Sequence, residues 1–164
     1  MNTPIFLDCE ASSLGVASYP TEVGWSRPDG SIASLRINPY AIEDWTDWDP
    51  VAQGLTGISR ELLHKEGHPP RYVAQRLNAE LHDRRVYTSA PNFDRAWLGV
   101  LFDAADIEMR FTVGDLWEPF HPFVDDQSAM WREVERAREA MGYGHRAGSD
   151  VEQLLRAWRA VARR

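Results

Sequence analysis

The first apolar run of the chain, IFLDCEASSLG, carries two carboxylates, Asp8 and Glu10, among Ile5, Phe6, Leu7 and Cys9. Removing a carboxylate from water is costly, so two of them in one apolar run require a compensating partner. Two later acids stand in comparable settings. Asp94 lies in SAPNFDRAWL, and Asp150 lies in GHRAGSDVEQLL, five residues after His145. Carboxylates suit hard, oxygen-preferring cations better than thiols do. An imidazole, with an unperturbed pKa of about 6.5, can take up a proton at neutral pH. Each later acid also has a purely local reading: Asp94 would complement a helix macrodipole, and Asp150 would be an N-cap or first-turn acid.

The elements that must position these groups can be read from periodicity. Residues 4–9 form a strand, and residues two apart in a strand share a face. Asp8 and Glu10 therefore project together, and Cys9 points the other way as a packed thiol. TEVGWS and SIASLRI are two more strands, joined by the Pro-Asp-Gly turn of RPDGS, so the first three strands form an antiparallel meander. Residues 38–50, NPYAIEDWTDWDP, show no periodicity and are expected to be an irregular loop. Helical spacing begins around GLTGISRELLHKEG, with Ser59 as a cap, and resumes at about residues 70–82 with Val73, Leu77 and Leu81. VYTSA is a fourth strand, followed by a helix over about 92–102, and MRFTVGDL is a fifth. Residues 117–126 are expected as a loop, and helices follow at about 128–141 and 149–162. Three strands, then helices alternating with two more strands, define an α/β domain with a mixed sheet.

With 164 residues, of which 43% are hydrophobic and 26% charged, the chain fits one globular domain with a single sizeable core. It holds no apolar run long enough to span a membrane. Its start, MNTPIFLDCE, lacks the pattern of a secretory signal, so no membrane association and a cytoplasmic location are expected. The lone Cys9 excludes an internal disulfide and a multi-cysteine zinc site. A net charge of −7 argues against a sequence-neutral nucleic-acid coat, yet leaves room for an acidic groove offset by cations. The basic stretch LLRAWRAVARR reads as a helix end complementing its dipole.

In their order along the chain, FLDCEASSLG, SAPNFDRAWL and HRAGSDVEQLLRAW resemble the three motifs of the DEDDh exonucleases. That group, within the ribonuclease H-like fold, includes proofreading polymerase subunits, ribonuclease T and oligoribonuclease. GLTGISRELL is similar to the Gly-Ile-Ser/Thr segment that often lies between the first two motifs. A sister group has Tyr-x3-Asp in the third motif; here Arg146 stands at that spacing and Tyr143 does not, so the histidine version fits.

The resemblance implies a ribonuclease H-like α/β fold whose mixed five-stranded sheet, three antiparallel strands first and then two parallel, is flanked by helices. It further implies a 3′–5′ exonuclease acting on a single-stranded 3′ end of DNA or RNA and releasing nucleoside 5′-monophosphates. Asp8, Glu10, Asp94 and Asp150 would hold two divalent ions, Mg²⁺ or Mn²⁺, and His145 would be the general base. Asp8 would bridge both ions, Glu10 and Asp150 would serve the one on the nucleophile side, and Asp94 the other, through water. Ala11, Ser12, Ser13, Leu14 and Asn92 would contact substrate, with Leu14 wedged against the terminal base. Related enzymes include dimers, so the resemblance admits a homodimer.

Charge repulsion favours cations over a bare cluster. Two like charges about 5 Å apart repel by roughly 3 kcal/mol at an effective dielectric of 20, and four converging acids contain several such pairs. Two other functions fit the same residues: a non-catalytic domain that binds nucleic acid or protein, and a hydrolase of short oligonucleotides or small phosphodiesters. Among the seven tryptophans, Trp97 and Trp158 fall at core positions of helices, whereas Trp45 and Trp48 in the polar loop could stack on bases or meet another subunit. Asp44, Asp47 and Asp49 lack the spacing of a calcium loop and read as a solvated face. His121 reads as part of a packed loop.

Overall fold

The computed structural model describes residues 3–163; Met1, Asn2 and Arg164, the last belonging to the basic C-terminal stretch, lie outside the described residues. The strands are β1 (Ile5–Ala11), β2 (Pro20–Ser26), β3 (Ile32–Arg36), β4 (Arg85–Thr88) and β5 (Thr112–Asp115), ordered β3-β2-β1-β4-β5 in one sheet. β1 runs antiparallel to β2, and β2 to β3, whereas β4 runs parallel to both β1 and β5. This is the mixed sheet expected, three antiparallel strands and then two parallel ones.

Alternation along β1 sorts its side chains between two cores. Ile5, Leu7 and Cys9 pack with Val73, Leu77, Leu98 and Leu101 of α3 (Pro70–Leu81) and α4 (Pro91–Ala105). Phe6 packs on the other face with Met130 and Val134 of α6 (Gln127–Met141) and with Val151, Leu154 and Trp158 of α7 (Ala147–Ala162). The buried positions of α7, including Leu155 and Val161, recur at three- and four-residue spacing and make one apolar stripe. Asp8 and Glu10 share the parity of Phe6, so β1 presents them on the α7 side.

Two segments expected as loops are partly helical. Residues 38–50 hold a 3₁₀ turn at Pro39–Ala41 and end on the first residue of α1 (Pro50–Thr56), a helix separate from the one that Ser59 caps. None of the α1 residues is buried, so no apolar period marks it. Its signal is in the caps: Asp49 accepts the Val51 N–H at 2.8 Å, Pro50 opens the helix, and Gly57 closes it with a φ of 68°. α2 (Arg60–Glu66) begins as expected at Ser59, whose hydroxyl accepts the Leu62 N–H. The second difference is α5 (Trp117–Phe120), a single turn begun by Asp115 accepting the Trp117 N–H at 2.7 Å and anchored by buried Phe120.

α7 lies unusually close to the sheet at one point. A Cβ added to Gly24 of β2 would stand 2.5 Å from the Ala147 carbonyl carbon, and Gly24 is the cross-strand partner of Asp8. The missing side chain is what lets the N-terminus of α7 rest on the strand pair that carries the acids. Gly24→Ala is expected to cost about 1–3 kcal/mol through this backbone clash, read as a lower urea midpoint. A midpoint equal to the parent's would show that the contact is slack.

Candidate active site

The acid pair and the start of α7 converge. Asp8, Glu10 and Asp150 each place one carboxylate oxygen within 4.8 Å of the others. Strand alternation supplies the first two, and the close approach at Gly24 supplies the third, from the first turn of α7. All three side chains are partly exposed, so the cluster faces a cleft. The site lies toward the C-terminal end of β1, the strand that has antiparallel β2 on one side and parallel β4 on the other, a usual place for ligands in α/β sheets.

Asp94 stands outside this trio. It is 1% exposed in the first turn of α4, and its carboxylate accepts the Cys9 N–H at 3.1 Å and the Thr88 hydroxyl. Its position therefore serves the local helix reading while keeping its charge near the cluster. His145 is exposed in the irregular segment before α7 and lines, with Glu10, the pocket described below.

Burial and mutual repulsion raise every one of these acids. Asp8 is held well above the ordinary carboxylate range, first by burial and then by the charges of Asp94, Glu10 and Asp150; Arg138 of α6 opposes this. Burial pushes Glu10 up to about 8, with Asp150 and Glu22 adding to it. Burial lifts Asp150 to about 6 against the opposing charges of Arg138 and His145. Asp94 also reaches about 6 through burial, restrained by its bonds to Thr88 and Cys9. The Cys9 thiol, buried and beside Asp94 and Asp8, is pushed well above its usual value, which makes it an inert core thiol.

A trio of carboxylate oxygens with no sulfur donor and incomplete internal neutralisation matches the donor set of hard divalent cations. Among the described residues, this is the one group of three acidic, histidine or cysteine side chains close enough to hold a metal ion.

Beside the acids lies a pocket of about 170 Å³, lined by Glu10, Ala11, Leu14, Val51, Leu55 and Trp97 among others. Its far wall is α1, whose Val51 and Leu55 are exposed. A second groove, of about 280 Å³, runs past the other side of Leu14 along Asn92, Phe93 and Trp97. Leu14, 76% exposed, is thus a ridge between two largely apolar slots. Ser12 and Ser13 shape that ridge: both hydroxyls donate to Asp47, at 2.9 and 2.6 Å, and Ser13 also accepts the Gly15 N–H. A larger groove of about 1060 Å³ opens at the opposite end of the sheet, past Ile5, Arg85 and Trp158, and none of the acids lines it.

Several loop residues behave differently from the sequence reading. Trp45 is buried and stacked on Tyr19 at 4.9 Å, so it is unavailable to a base. Trp48 donates to Gln53 and lies 5.6 Å from the Arg60 guanidinium. Asp47 and Asp49 are committed to the Ser12–Ser13 turn and to the cap of α1, so they are structural acceptors rather than a solvated face. Trp97 and Trp158 are core residues, as expected, and bond Ser18 and Pro119 through their indole N–H groups.

Sequence reasoning also overlooked Glu22, and with it the partner of Arg146. Glu22 is buried opposite Glu10 and pairs with Arg146 across 124 residues. The alternation of TEVGWS held the clue, because Val23 and Trp25 face the α3–α4 core and leave Glu22 on the face of the acids.

No protein-family model matches the chain, and no curated protein matches it in sequence. Solved structures do match in fold. Exonuclease I of E. coli in complex with a 5cy-dA13 oligonucleotide superposes with a TM-score of 0.70 at 16% identity, covering 100% of this chain and 42% of that one. A structure titled apo exonuclease I gives 0.68 at 17%, covering 96% of this chain and 41% of that one. The moderately thermophilic exonuclease I of Methylocaldum szegediense gives 0.65 at 16%, covering 95% and 40%. The chain therefore spans about two fifths of the length of these proteins. Its fold is the ribonuclease H-like α/β fold of these exonucleases.

Proposed function

We propose that the chain is a metal-dependent 3′–5′ exonuclease that releases nucleoside 5′-monophosphates from single-stranded DNA or RNA. The observation that carries this reading is the convergence of Asp8, Glu10 and Asp150 beside an exposed imidazole and an apolar slot. The likeness to exonuclease I, whose structures hold dT13 and dA16 oligonucleotides, supports it.

In this reading Asp8, Glu10 and Asp150 hold Mg²⁺ or Mn²⁺, and Asp94 acts from behind them through water. Two such ions would lower the pKa of a bound water and offset charge on the leaving oxygen. His145 accepts the proton of the attacking water as its oxygen joins phosphorus and the P–O3′ bond breaks. The terminal base enters the slot between Leu14, α1 and Trp97, and the preceding base enters the groove along Asn92 and Phe93. Ala11, Ser12 and Ser13 bring the backbone close to the terminal sugar, which aligns the phosphate for in-line attack.

The test is digestion of 5′-labelled DNA and RNA oligomers with Mn²⁺ or Mg²⁺. A ladder shortening from the 3′ end, with 5′-monophosphates as products, is expected. Labels that stay intact under every metal would overturn the reading in favour of a binding domain, and cleavage confined to two- to five-mers would assign a short-oligonucleotide hydrolase. Leu14→Ala should raise KM about three- to tenfold, the effect of about 1 kcal/mol of lost apolar contact, with the melting temperature unchanged because Leu14 is exposed. An unaltered KM would take Leu14 out of the binding surface.

A further inference from the structure

The five residues between α6 and α7, 142–146, have no regular structure, yet they deliver both His145 and the first turn that carries Asp150. Arg146, at the N-cap position of α7, makes no side-chain cap bond to the helix. The helix is capped from the sheet instead. The Glu22 carboxylate accepts Arg146 Nε at 3.0 Å, Arg146 Nη2 at 2.6 Å and the Ala147 N–H at 3.1 Å. This is a two-pronged contact, the geometry that guanidinium and carboxylate favour, with a charged acceptor also set at a helix N-terminus. The Glu22 side chain is 3% exposed, and its strand neighbour across β1 is Glu10 itself. Two residue pairs along, on the same face, Asp8 faces Gly24, which the Ala147 backbone overlies. The strand that braces the acid pair is therefore the strand that grips the helix bringing the third acid.

We propose that Glu22 and Arg146 are a positioning pair, fixing the start of α7 on β2 so that Asp150 meets Asp8 and Glu10 and His145 stands at the cleft. The two side chains bond each other and the Ala147 N–H and stand outside the cluster of three carboxylates, and the pair's effect on chemistry rests on the metal-site reading above. It acts as an outer-shell support: it orients the element that carries a ligand and leaves Glu10 facing the cleft while Glu22 takes up the arginine.

The test uses the full chain and Mn²⁺ alone as the probe, by isothermal titration calorimetry, together with hydrogen exchange of residues 143–150 followed by mass spectrometry. Arg146→Ala by itself strands a buried carboxylate and can cost the fold. The decisive variants are therefore the double variant E22A/R146A, Glu22→Gln and the conservative Arg146→Lys. In a folded double variant, Mn²⁺ affinity should fall about tenfold or more, the usual loss when an outer-shell support is removed. Exchange over 143–150 should speed up, kcat on an oligomer should drop, and KM should move less than about twofold. Glu22→Gln should show a smaller loss, and Arg146→Lys should recover part of the affinity. If the parent binds Mn²⁺ and the double variant binds it equally well, the proposal is overturned, and a lower melting temperature alone would mark the pair as merely structural. If the parent takes up no Mn²⁺, the metal-site reading fails instead, and exchange decides the pair: unchanged exchange overturns it, and faster exchange upholds it as the anchor of the segment.

Discussion

Asp8→Asn is expected to abolish hydrolysis and, at the same time, to make the metal-free protein more stable. Asp8 is raised first by burial and then by three neighbouring acids, Asp94, Glu10 and Asp150. An amide of the same shape keeps the packing of β1 but withdraws the charge that metal binding needs. The rate should fall at least about 10³-fold, equivalent to about 4 kcal/mol of lost transition-state stabilisation. Without metal, the same change removes a repulsive buried charge and should raise stability by about 1–3 kcal/mol. Denaturant melts in a chelator and single-turnover rates in Mn²⁺ check both halves. A variant that is both active and less stable would contradict the proposed role of Asp8.

The second large effect is the coupling of stability to pH and metal. In a chelator, Asp94 and Asp150 titrate near 6 and Glu10 near 8, against ordinary values of 3.8 and 4.5. Between about pH 4 and 8 the folded chain therefore holds more protons than the unfolded one, and stability must fall as pH rises through that window. Glu80 works in the opposite direction. Hydrogen bonding from Arg27, with further bonds from Trp25 and Arg76, lowers it to about 2, so its contribution is complete above 4.5 and disappears as pH falls toward 2. The metal-free melting temperature should thus be highest at about pH 4 or just below and decline toward pH 8.

Millimolar Mn²⁺ at pH 7.5 should cancel most of that decline, adding on the order of 2–3 kcal/mol, or about 5–10 °C for a chain of this size. A melting temperature that ignores both chelator and Mn²⁺ from pH 5 to 8 would remove the metal centre. Either outcome is readable without any substrate, which separates the metal question from the nuclease question.

Much of this arrangement was legible before any coordinates. Period-two alternation fixed the parity of Asp8 and Glu10 against Cys9, because a strand's side-chain directions depend only on its own backbone. The same locality made the body of α7 readable as a helix over about 149–162 and α2 readable from its Ser59 cap. α1 escaped because it buries nothing: with no apolar face there is no periodic signal, and only its Asp49, Pro50 and Gly57 caps mark it. Trp45 misled for a related reason. Its neighbours are polar, but the ring it stacks on, Tyr19, lies 26 positions earlier in the sequence.

Local chemistry thus determined most of the elements, the antiparallel meander of the first three strands and the face on which the acids stand. What tertiary structure alone decided was convergence. Asp150 reaches Asp8 because Gly24 has no side chain to hold α7 away and because Glu22 grips Arg146. Asp94 is withheld from the trio because Cys9 and Thr88 engage both of its oxygens. Except for Thr88 and Asp94, six positions apart, such contacts join residues scores of positions apart, and a distance of that kind is encoded in no local period. It follows from which surfaces pack, and that was settled only when the two faces of the sheet had both been covered.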